Sequence, residues 1–134
     1  MPSIISNQSN GPGEARCEFF TPELCYITEL SNSPADEQLS IARARVAPGV
    51  TTRWHRLIGI TERYVVLFGE GEVEIGDLPA QTLKPHDVAI IPPGCRQRIT
   101  NTGASDLVFL ALCTPRFTPS AYEDIDDGLM ATTG

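Results

Sequence analysis

The stretch Gly49–Gly69, GVTTRWHRLIGITERYVVLFG, decides the fold. It holds His55, one of only two histidines in 134 residues, and Glu62 follows seven positions later. Both sit among β-branched and aromatic residues, and a glycine stands at each end. The pattern predicts a β-hairpin, with Thr51 to Ile58 and Arg63 to Phe68 as its strands. Side chains alternate faces along a strand, so Arg53, His55 and Leu57 share one face, and Glu62, Tyr64 and Val66 share another. An antiparallel pairing would aim His55 and Glu62 into the same interior. A buried carboxylate beside an imidazole needs a compensating proton or cation, and a divalent metal is one solution. An ion pair between Glu62 and Arg53 or Arg43 is another.

Working outward, the remaining chain also reads as strands. Cys25 to Leu30, Leu39 to Ala47, Glu72 to Ile75, Val88 to Ile91, Arg98 to Asn101 and Leu107 to Cys113 are short apolar or alternating runs. Gly76 to Gln81 and Pro92 to Gly94 are turn clusters. About eight short strands at roughly ten-residue spacing predict an all-β sandwich or barrel. One turn of helix fits near Ser120 to Tyr122. Residues 1–16, rich in Ser, Asn, Gly and Pro, read as a flexible lead-in. The barrel domain is expected over 17–118, followed by a tail over 119–134.

A chain of this length makes one domain with a core of its own. The net charge of −7 argues against a general nucleic-acid or anionic-membrane binder. The N-terminal residues lack the basic and apolar segments of a secretory signal. The four cysteines form no C-x-x-C motif. Together these features predict a cytoplasmic location with reduced, mostly buried thiols. No apolar run approaches the ~20 residues of a membrane helix.

A second stretch, VAIIPPGCRQRITN over Val88–Asn101, places Gln97, Ile99 and Asn101 on one strand face. Gln97 could ligate a hard cation through its amide oxygen or hydrogen-bond a ligand. His86, after Lys84-Pro85, reads as an exposed turn residue. Tyr64 shares a face with Glu62 and could supply a phenol for proton transfer. Arg43 and Arg45 would bind a carboxylate or enolate if they face inward, and are surface charges if they face outward.

The two stretches together resemble the cupin motifs. Gly49, His55, Glu62 and Gly69 match G-x5-H-x-H-x4-E-x6-G, with Leu57 at the second histidine. Pro92, Gly94 and Asn101 match G-x5-P-x-G-x2-H-x3-N, with His86 at the glycine and Gln97 at the histidine. The resemblance covers roughly residues 25–114. It implies a double-stranded β-helix barrel, an active site inside it, and a homodimer. In the family two histidines and the glutamate of the first motif, with the histidine of the second, commonly bind one divalent metal. Leucine binds none, which leaves His55, Glu62 and Gln97, a harder set that favours Mn or Fe(II).

The expected function is a metal-dependent enzyme acting on an oxygen-rich small molecule by isomerase, lyase, cyclase or dioxygenase chemistry. Glu62 and Tyr64 would move protons, and Arg43, Arg45 and Arg53 would hold substrate. Two alternatives stand beside it. One is a metal-free binding module or sensor. The other is a cofactor-free epimerase or cyclase with His55 and Glu62 as an acid–base pair.

Overall fold

The computed structural model describes residues 2–6 and 17–126. The expected lead-in over 7–16 and the end of the tail over 127–134 lie outside the described residues. Among the described residues eleven strands form two sheets. In chain order they are β1 (Phe19–Phe20), β2 (Tyr26–Ser31), β3 (Ser40–Val46), β4 (His55–Leu57), β5 (Thr61–Phe68), β6 (Gly71–Ile75), β7 (Gln81–Leu83), β8 (Val88–Ile91), β9 (Gln97–Asn101), β10 (Leu107–Thr114) and β11 (Tyr122–Asp124). The larger sheet has the order β1-β2-β3-β10-β5-β8, and the smaller β11-β4-β9-β6-β7. Every pairing is antiparallel. This is the all-β, double-stranded β-helix architecture expected from the sequence.

Strand parity sets the core. On β5, Glu62, Tyr64 and Val66 are buried while Arg63 and Val65 are half-exposed. On β9, Gln97, Ile99 and Asn101 are buried in the same alternating way. Val46, Val66, Ile91, Ile99 and Leu107 are at most 1% exposed and form the centre of the main apolar cluster. A smaller cluster of Leu57, Ile60, Cys113 and Ala121 lies beneath Phe117 and Tyr122.

The two motifs are joined through their backbones. Gly49, at φ 78°, donates its amide to the Asn101 carbonyl at 3.0 Å, and the Asn101 amide donates to Val50 O at 2.9 Å. The Asn101 side chain donates to Val46 O and Ser105 O, both at 2.8 Å, and accepts from Gly103 N at 2.9 Å. Gly69 lies at φ 77°, where a Cβ would come within 2.6 Å of Asp106 O, so both its conformation and the close approach require glycine.

One sequence expectation is corrected. Thr51–Ile58 and Arg63–Phe68 do not pair as a hairpin. β4 bonds to β9 and β11, whereas β5 bonds to β10 and β8. The connection through Gly59, at φ 75°, carries the chain from one sheet to the other. His55 and Glu62 therefore face each other across the barrel instead of lying side by side on one sheet. The structure also adds strands at β1, β7 and β11. β11, within the segment read as a tail, extends the smaller sheet after a 3-10 turn over Pro119–Ala121. Arg53 bonds Asp124 Oδ2 at 2.7 Å and Arg56 bonds Glu123 Oε1 at 2.6 Å, fixing this strand along β4.

Candidate active site

A cavity of about 330 Å³ opens between the sheets, and its exposed lining residues Phe19, Pro22, Glu29 and Pro119 mark the mouth. Its interior is mostly apolar. His55, Glu62, Tyr64 and Glu23 supply the principal polar groups.

His55 is 2% exposed. Its Nδ1 lies 2.8 Å from the Arg53 carbonyl. A carbonyl only accepts, so Nδ1 carries a proton and Nε2 is the ring nitrogen left for other partners. That Nε2 lies 3.4 Å from Glu23 Oε1. Tyr122 on β11 stacks against the imidazole at 5.4 Å between centroids. The ring is thus held from behind by a backbone carbonyl and from the side by an aromatic face.

Glu62 faces it from β5. Burial pushes its carboxyl up to about 7, and the Glu23 charge adds to this, while His55 and nearby hydrogen-bonding groups pull the other way. Cys113 Sγ lies 3.9 Å from Glu62 Oε2, a weak thiol contact. Glu62 Oε1 and Gln97 Nε2 are both buried without a hydrogen-bond partner; the Gln97 amide lies near enough to favour the carboxylate without meeting it in bonding geometry. Gln97 is fully buried and its Oε1 accepts a short hydrogen bond from the Tyr64 hydroxyl. Tyr64 itself is held far above its ordinary range, chiefly by burial and then by the neighbouring Glu62 and Glu23 charges. Its hydroxyl is committed to orienting Gln97.

Glu23 is the residue that sequence reasoning missed. It belongs to a tight turn in which Leu24 N donates to Thr21 O at 3.0 Å and Thr21 N to Cys25 O at 2.9 Å. Leu24 adopts φ 77°, a conformation that costs a non-glycine residue roughly 1–3 kcal/mol. The Glu23 carbonyl accepts from Arg53 N at 3.1 Å, tying the turn to the segment that carries His55. Burial, reinforced by the Asp124 charge, pushes the Glu23 carboxyl up to about 7. The only signal in the sequence is the Thr-Pro-Glu-Leu turn chemistry ahead of β2.

The three arginines expected to hold substrate do not line the cavity. The inward positions of β3 are Ser40, Ala42, Ala44 and Val46, so Arg43 and Arg45 project outward. Arg45 bonds Glu18 at 2.7 Å and Asp106 at 3.1 Å and stacks on Tyr26, and Arg43 lies 3.8 Å from Glu18. Arg53 forms ion pairs with Asp124 and Asp126. His86 is exposed in a turn at φ 76°. Burial pushes the Cys25 and Cys113 thiols up to about 12.

The fold and the two linked motifs define a class, and the comparisons agree with it. The family model described as "Cupin domain" matches residues 42–113. The chain belongs to the cupin family. Among its relatives, a Thermotoga maritima "Oxalate-binding protein" is 32% identical over 114 residues, covering 83% of this chain and 84% of the relative. A Thermotoga maritima structure described as a predicted oxalate decarboxylase superposes with a TM-score of 0.70 at 22% identity, over 84% of this chain and 99% of that one. A Klebsiella pneumoniae protein with a double-stranded β-helix domain gives a TM-score of 0.67 at 18% identity, over 92% and 97%. At these identities the structures speak for the fold alone.

The donor set is a poor fit for the metal that the family implies. The structure brings His55, Glu62 and Gln97 together, but among the described residues no three His, Cys, Asp or Glu side chains converge as a metal site. Leu57 packs in the smaller apolar cluster, where the family motif has a histidine. The Gln97 oxygen, its one ligating atom, accepts from Tyr64. That oxygen keeps a second lone pair and Glu23 adds a carboxyl beside His55, but among the described residues His55, Glu62 and Glu23 do not converge as a metal site, and a catalytic ion usually takes three or more protein ligands.

Proposed function

We propose that this cupin uses its barrel to bind a small molecule and to move protons with its own side chains. His55 acts as the base through Nε2 and Glu62 acts as the acid. The observation that carries this reading is the hydrogen bond between His55 Nδ1 and the Arg53 carbonyl: with the proton held on Nδ1, Nε2 is turned to the cavity side, where Glu23 Oε1 lies 3.4 Å away. Burial pushes Glu62 up to about 7, well above an ordinary carboxyl, the direction that suits a general acid. Glu23 supplies a second carboxyl beside Nε2 and can receive or return the proton that His55 takes up. Tyr64 and Gln97 position the floor of the site. Epimerisation, isomerisation and cyclisation all fit such an acid–base pair, and none requires a group outside the chain.

The test begins with protein stripped of metal by chelator and a ligand screen by thermal shift. Each ligand found is then incubated in D2O and followed by NMR for deuterium entry at carbon. Exchange that survives chelator and disappears in His55→Ala and Glu62→Gln supports the reading. Exchange that needs added Mn or Fe(II) refutes it in favour of metal chemistry.

A further inference from the structure

The charges and rings around the cavity select among ligands. Among the described residues three carboxyl side chains line it, Glu23, Glu29 and Glu62, and no lysine or arginine does. The nearby arginines are engaged elsewhere: Arg53 with Asp124 and Asp126, Arg63 with Thr114, and Arg116 with Asn32. Five aromatic rings share the lining. Tyr64 and Phe109 pack at 4.5 Å between centroids, Tyr122 stacks on His55, and Phe19 and Phe117 complete the set. Carboxylates beside ring faces attract an organic cation twice, through charge and through the ring quadrupole. An anion placed there meets these carboxyl groups, and the one basic side chain in the lining, His55, already faces Glu23 at 3.4 Å.

We propose that the cavity takes an organic amine or ammonium compound, a positively charged head on an apolar body. Its head would lie between Glu23, 3.4 Å from His55 Nε2, and the Tyr122 ring stacked on that imidazole. Its body would lie along Phe109 and Ile27. The 32% identical relative is called an oxalate-binding protein. Oxalate is a small dianion, so this lining predicts a different ligand class for this chain. The inference rests on the metal-free reading above, because a bound divalent ion would reverse the charge of the site.

The experiment compares three ligands of similar shape on metal-free protein by calorimetry: phenethylamine, 2-phenylethanol and phenylacetate. The amine is expected to bind most tightly and phenylacetate not to bind. Glu23→Gln is expected to weaken the amine about tenfold, equivalent to ~1.4 kcal/mol, and to leave the alcohol unchanged. Glu62→Gln serves as the second variant, and the melting transition of each variant checks its folding. Phenylacetate binding as tightly as the amine overturns the proposal. So does an amine affinity that neither variant changes, or the absence of binding by phenethylamine, benzylamine and tyramine alike at millimolar concentration. Phenylacetate or oxalate binding that appears only after Mn loading instead overturns the metal-free reading, which separates the two failures.

Discussion

Replacing Glu62 with glutamine tests the electrostatics of the site through stability alone, without knowledge of the ligand. Glu62 is 8% exposed, and burial pushes its carboxyl from an ordinary value of 4.5 up to about 7. Between those values the native protein keeps a proton that the unfolded chain has released. Stability is therefore greatest below the ordinary value and falls as pH rises through the folded one. At ~1.4 kcal/mol per pH unit the interval amounts to about 3 kcal/mol, or on the order of 10 °C in melting temperature for a domain of this size. Glutamine keeps the shape and never ionises. Near pH 5 the variant and the parent should melt together, and near pH 8.5 the variant should be more stable by up to ~3 kcal/mol. Urea unfolding across that range measures the gap. A parent curve that runs parallel to the variant, or a variant less stable at high pH, would refute a buried Glu62 lacking a compensating cation.

Three further expectations concern the framework. Asn101→Ala removes one buried and two part-buried hydrogen bonds that join β3, β9 and the following turn; a loss of roughly 3 kcal/mol is expected in denaturant unfolding. Tyr64→Phe leaves the buried Gln97 oxygen without its donor; it should cost about 1–3 kcal/mol and leave the secondary structure intact by circular dichroism. The chain should be a homodimer in solution: β8 ends the larger sheet, with Val88 and Ile90 53% and 63% exposed on its outer face. Light scattering at micromolar concentration checks this, with Ile90→Asp as the disrupting variant, and a monomeric parent would count against it.

Much of this was legible in the sequence because strand parity is a strict rule. The spacing of Glu62, Tyr64 and Val66, and of Gln97, Ile99 and Asn101, is enough to put each triplet on one face, and the burial pattern follows it. Parity does not say which face is inward. For Arg43 and Arg45 that choice is made by the small residues Ala42 and Ala44, which take the interior positions of β3. The hairpin expectation failed because Gly59 redirects the chain between sheets, and two strands joined by a short turn usually pair. Glu23 was invisible for a different reason. It reaches His55 from a turn some thirty residues earlier, held by the positive φ of Leu24 and a bond to the Arg53 amide. β11 was hidden in an acidic segment that reads as an ordered tail, and its place in the smaller sheet shows only once Arg53 and Arg56 are seen to pair with it.

A barrel that works with protons instead of a bound metal should hold no tightly bound ion, and its metal content shows this without knowledge of the ligand. The protein is purified without an affinity tag, exposed to excess Mn and Fe(II) under anaerobic conditions, desalted and analysed by inductively coupled plasma mass spectrometry beside His55→Ala. The account predicts far less than one equivalent of metal in both proteins, with no difference between them. One equivalent retained by the parent and lost in His55→Ala would contradict it.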